Sequence, residues 1–139
     1  MKKILYLIIT LCIIGCGGER NIHGIEVTEL LLFSTETLDI DYCKILKNAT
    51  KEDEKPIKQL LLLDIYGAAG YDHGAVIVDL IEFIGEDKII NIVEPMDYEQ
   101  KASIMSYIEA GLLYGNNSNF NKQEICDAFP KLYVVLNCS

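Results

Sequence analysis

The chain is 139 residues long, half hydrophobic and strongly acidic, with a formal net charge of −9 and a pI of about 4.6. That length and hydrophobic share fit one domain with an ample core. The acidity excludes a nucleic-acid grip, because phosphates would be repelled, and it offers no electrostatic hold on anionic lipid.

Met1-Lys2-Lys3 sets two positive charges before residues 4–14, a run in which only Thr10 is polar. The run is about eleven residues, too short to cross about 30 Å of hydrocarbon. A basic start, a short apolar core and a small residue before a cut define a secretory signal peptide over residues 1–15. Ile13-Ile14-Gly15-Cys16 resembles the lipobox of bacterial lipoproteins. The resemblance implies cleavage before Cys16, with acyl chains such as palmitate on its sulfur and new amino group. It covers only the first sixteen residues and implies no fold. Each buried CH₂ adds about 0.8 kcal/mol of membrane affinity, so several chains anchor far better than one. The mature chain is then expected on the bacterial envelope, facing the periplasm. Gly17 stands where enteric bacteria use Asp for inner-membrane retention, which favours the outer membrane. Losing residues 1–15, with Lys2, Lys3 and no acid, takes the formal charge from −9 to −11.

Residues 16–24 read as the lipidated Cys and a short tether, since Gly17-Gly18-Glu19-Arg20-Asn21 is polar and glycine-rich. A single domain is expected over 25–139. Its periodicity is mostly helical, over 26–33 and over 38–46, the latter with Asp39 and Asp41 in its first turn. A charged connection over 48–55 leads to a helix that has Pro56 near its start and runs to about Tyr66. Val76, Ile77, Leu80, Ile81 and Ile84 share one helical face from which Asp79 and Glu82 fall away. Gly85 suits a helix end, and Glu86-Asp87 suits the positive start of the next helix, which Pro95 stops. Asp97 and Gln100 form a capping box for a helix burying Ile104, Met105, Ile108 and Leu112. Residues 114–119 read as a loop. Asn121 and Glu124 form a second box, for a helix through Phe129 that Pro130 breaks or kinks. Residues 132–136 continue as helix or strand.

The fold expected is all-α: an irregular bundle of six or seven short helices, arranged as antiparallel hairpins in the manner of a short HEAT-like stack. The β-branched residues of "VIVDLIEFI" and "YVVL" leave an α/β fold as the alternative.

The most chemical-looking stretch is Tyr66-Gly67-Ala68-Ala69-Gly70-Tyr71-Asp72-His73-Gly74. One reading makes His73 a general base oriented by Asp72, in a small envelope hydrolase. The competing reading makes Asp72 the cap of a helix beginning at His73. Asp64, inside a leucine-rich run, either needs a buried partner such as a Tyr hydroxyl or lies on an exposed stripe. His23 and His73 lie too far apart in sequence to indicate a metal site, and no cofactor motif occurs. Cys43, Cys126 and Cys138 permit one disulfide in an oxidising envelope, with Cys126 to Cys138 the nearest pair in sequence.

The acids Asp39 and Asp41, together with Glu52-Asp53-Glu54, could offer a patch to a basic protein, or simply solvated faces. Tyr98, Tyr107 and Tyr114 lie on or beside one helix, as interface or core residues. These features fit a non-catalytic helical lipoprotein that binds another envelope protein. They are compatible with the role of immunity proteins, which cap toxin active sites. A scaffold within an envelope complex is the other non-catalytic role.

Overall fold

The computed structural model describes residues 20–137, so the signal peptide, Cys16 and Cys138 lie outside the described residues. The chain opens with a hairpin, β1 (Asn21–Ile22) and β2 (Ile25–Glu26), paired antiparallel. His23 and Gly24 connect the strands with φ of 54° and 92°, the left-handed pair of a two-residue turn whose twist matches the strands. The Asn21 side-chain oxygen accepts from the Gly24 N–H at 2.9 Å. Ile22 and Ile25 are buried. The expected tether therefore stops short of residue 24, because Ile22 already fills an apolar site.

Eight helices follow among the described residues, where six or seven were expected. α1 (Glu29–Glu36) starts later than the periodicity implied, because β2 takes Glu26 and Thr28 makes the cap, accepting from the Leu31 N–H at 3.2 Å. α2 (Tyr42–Ala49) is capped by Asp41, which accepts from Lys44 N–H at 3.0 Å. Asp39 sits ahead of it at φ 58°, in a turn rather than in the helix. α3 (Glu54–Leu61) has Pro56 in its first turn, where no N–H partner is needed. It ends before residue 66.

α4 (Ala68–Ile84) starts at Gly67, whose φ is 68°. Asp72 is thus inside α4 and does not cap a helix beginning at His73. Gly85, at φ 89°, ends α4 and leads into α5 (Glu86–Val93). α6 (Tyr98–Tyr114) carries the expected capping box: Asp97 accepts from Gln100 N–H at 2.9 Å, and Gln100 accepts from Asp97 N–H at 3.3 Å. The second box does not form. α7 (Ile125–Ala128) has Glu124 at its cap with no side-chain bond. Lys122, at φ 59°, is used in a turn that donates its N–H to the Leu112 carbonyl at 2.8 Å. The helix breaks at Phe129, and Pro130 opens α8 (Pro130–Asn137), so residues 132–136 are helical.

The helices pack in two rows, α1–α4–α6 and α3–α5–α8. α4 and α6 run parallel. Gly70 faces the Tyr107 ring, Gly74 faces Tyr107 and Gly111, and Ala75 faces Gly115, so the two registers rise together. In the other row the Glu86 carboxylate accepts from the Leu132 N–H at 2.9 Å, and Lys131 donates to Asp87 at 3.0 Å. An α5 side chain thereby satisfies one of the free N–H groups at the start of α8.

The α4–α6 contact is backbone against backbone. A Cβ on Gly111 would overlap the Gly74 carbonyl, and one on Gly74 would overlap the Tyr107 carbonyl. Gly111→Ala is therefore expected to lower the unfolding free energy by about 2–3 kcal/mol, the scale of core overpacking. Chemical denaturation checks this; an unchanged midpoint would mean that the helices do not approach this closely.

Candidate functional site

α4 presents two different surfaces. Its inner stripe, with Val76, Ile77, Leu80 and Ile81, is buried. Asp72, Asp79 and Glu82 lie off that stripe and face the hairpin and the loop after α6. Together with Glu26 on β2 they line a cleft of about 460 Å³, within the range of ligand sites. Phe83, Tyr114 and the amides of Asn116 and Asn117 complete its walls, and among the described residues no lysine or arginine lines it. His23 stacks on Phe83 with ring centroids 5.5 Å apart, and Tyr71 packs on Tyr114 at 4.8 Å.

The carboxylates are held by neutral donors. Thr28, the cap of α1, donates its hydroxyl to Asp72. Asn117 donates to Asp79 at 2.8 Å and to Glu82 at 2.6 Å, and Asn119 also donates to Glu82. The Asn117 oxygen meanwhile accepts from the Asn119 and Phe120 N–H groups at 2.9 and 3.1 Å, which fixes the loop. Burial pushes the Asp79 carboxyl above its ordinary range, the Asn117 bond pulls it down, and the neighbouring charge of Glu82 adds to the rise. Amides lend hydrogen bonds but no charge. The cleft therefore keeps its negative potential, in a setting where an incoming cation is attracted more strongly than in bulk water.

His73 belongs elsewhere. It is fully buried, and its Nδ1 lies 2.7 Å from the Tyr42 hydroxyl. Tyr107 packs edge-on against it at 4.8 Å. The hydroxyl of Tyr107 also accepts from the Ile65 N–H at 2.9 Å and donates to the Ile65 carbonyl at 3.2 Å, clamping the link into α4. Burial lowers the His73 pKa to about 4, with the Leu60 backbone acting in the other direction. Burial also raises the Tyr42 pKa, with the electrostatics of Cys43 and Tyr107 adding to it. The pair is neutral at pH 7. Either ring tautomer satisfies the contact between Nδ1 and the Tyr42 hydroxyl, while Nε2 lacks a hydrogen bond of good geometry. Asp72 is engaged with Thr28, so it does not orient His73, and the proposed dyad does not assemble.

The remaining candidates are dispersed. Asp39 and Asp41 lie beside Glu36 on a second cavity of about 330 Å³ before α2, while Glu52, Asp53 and Glu54 are exposed beyond its far end. The eight residues of α2 span about 12 Å, so the two groups do not form one patch. Asp41 caps α2, and Asp53 and Glu54 stand where a helix start favours negative charge. Tyr98 and Tyr114 are exposed at opposite ends of α6, and Tyr107 is a packing residue; only Tyr114 reaches the cleft. Asp64 is exposed and accepts from the Tyr66 hydroxyl. Cys126 is exposed and Cys43 half-buried; a bridge from Cys126 to Cys138 falls outside the described residues. No group of three His, Cys, Asp or Glu among the described residues is placed to hold a metal ion.

The cleft residues come from sequence positions 23 to 118. Of these, Asp72 and Tyr114 stand out in the sequence as candidates, and Asp79 and Glu82 as acids set off from an apolar face. Comparison with known proteins finds no matching family, no similar curated protein and no solved structure of the same kind.

His73 makes stability depend on pH with a definite sign. Unfolded, the imidazole takes a proton near pH 6.5; folded, it resists until about pH 4. Its contribution is complete above pH 6.5 and is lost as the pH falls toward 4, about 3 kcal/mol across the whole window. Urea denaturation between pH 7 and pH 5, where most carboxylates stay ionised, should show this slope. His73→Gln should be less stable at pH 7 but should lack that part of the slope. An identical slope in the variant would assign the effect to other groups.

Proposed function

We propose that this protein is a lipid-anchored bacterial envelope protein whose helical domain binds a basic segment of another protein without catalysing a reaction. The observation that carries this reading is the cleft beside α4. Four carboxylates and three aromatic side chains, Phe83, Tyr114 and His23, surround a concavity that no lysine or arginine lines among the described residues. A lysine or arginine side chain suits such a site, since the ring faces attract cations and the carboxylates accept charge-assisted hydrogen bonds. Fixed by Thr28 and Asn117, the acids need little reordering on binding, which favours affinity. An inhibitor or immunity-type protein would use this arrangement to block a basic site on its target. The geometry of His73 weighs against the hydrolase reading, because a general base must reach substrate and this one is enclosed by Tyr42 and Tyr107.

Gentle detergent extraction of the native chain with its associated proteins tests the reading. A co-purifying protein should be released as salt rises, because exposed ion pairs are screened. The double change Asp79→Asn with Glu82→Gln should weaken its binding about tenfold or more, equivalent to about 1.4 kcal/mol. A partner retained equally by that variant, or no partner at all, would count against the cleft as the binding site.

A further inference from the structure

α1 is the end helix of its row and has an uncovered apolar side. Leu31 and Thr35 point into the core, while Leu30 is 45% exposed, Phe33 67% and Leu38, just past the helix end, 55%. Leu30 and Phe33 are three residues apart and share a helix side. Isolated exposed apolar residues are ordinary, but here three fall within nine positions at one edge.

The first described residue is tied to the same edge. Arg20 accepts from the Val27 N–H at 2.7 Å through its carbonyl, and its guanidinium pairs with Glu29 at 2.5 Å. Glu29 lies one turn before Phe33, about 6 Å along the helix. Cys16 is four residues ahead of Arg20, at most about 14 Å of chain. A bilayer holding Cys16 therefore lies within short reach of the Leu30–Phe33 side.

We propose that this side of α1 rests on the bilayer surface, with Leu30, Phe33 and Leu38 entering the headgroup region beside the anchor. The inference rests on the lipidation of Cys16 proposed above. Three side chains would not hold the domain on a membrane by themselves. A tether this short keeps them at high local concentration, so weak contacts suffice. Glu29, Glu36 and Asp39 flank the strip and are repelled by anionic lipid. The surface that fits is a zwitterionic one, and the contact orients the domain.

The chain has no tryptophan, so Phe33→Trp supplies a single reporter at an exposed position. The full acylated chain is reconstituted into phosphatidylcholine vesicles, with and without bromine on the upper acyl carbons. A side chain about 5–10 Å inside the boundary lies near the bromines, so emission should shift blue and fall about twofold or more. Val134→Trp, exposed on α8 in the other row, should be unaffected. If acylated protein floats with the vesicles while Phe33→Trp is quenched no more than Val134→Trp, the docking is overturned and the anchor stands. If mass spectrometry finds no acyl chain on Cys16, the anchor and the docking fall together.

Discussion

The structure depends on how closely α4 and α6 approach. Gly74 and Gly111 meet without side chains between them, and Gly115 continues the line against Ala75. Backbones this near leave no room for a slip of register, because a shift of one residue would set a Cβ against a carbonyl. The fixed register has consequences at both ends of the pair. At one end it lays Tyr107 across His73 and onto Ile65, closing the entry to α4. At the other it delivers the loop after α6 to Asp79 and Glu82, where Asn117 joins two acids three residues apart on α4. The cleft is therefore a product of helix packing and not of a local motif.

The buried polar pair His73–Tyr42 is the second organising feature. Two titratable groups are enclosed, and both are held neutral by their surroundings. A buried imidazole whose Nε2 lacks a hydrogen bond of good geometry gives up stability relative to an apolar core. In exchange, the short contact between α2 and α4 fixes which face of each helix turns inward. Hydrophobic packing alone fixes that less sharply, since leucine-rich faces such as residues 60–63 tolerate small rotations.

Carboxylates gather where Glu26, Asp72, Asp79 and Glu82 converge, and α1 leaves Leu30 and Phe33 exposed at a different place. In the arrangement proposed above, the exposed residues of α1 would settle against lipid while the cleft stays hydrated and able to receive a charged segment. Thr28 links the two regions directly. It caps α1 and also holds Asp72, so the position of α1 and the shape of the cleft are mechanically connected.

The sequence by itself determined what is decided within about four residues. The all-α class, the capping box at Asp97 and Gln100, the stop at Gly85 and the helix break at Pro130 all follow from local hydrogen bonding and backbone freedom, and each is found. Where a local signal was read alone it sometimes misled. Asn121 to Glu124 has the spacing of a cap, but the Lys122 N–H is already committed to Leu112, and the turn wins. Asp72 resembles a cap or a catalytic partner in sequence, but Gly67 starts the helix earlier and Thr28, 44 positions away, takes its carboxylate. The parallel run of α4 and α6, the gathering of four acids around one cleft and the enclosure of His73 were decided only by the tertiary structure. Each depends on contacts between residues tens of positions apart. Such contacts are set by which helix faces fit without overlap, and no single segment carries that information.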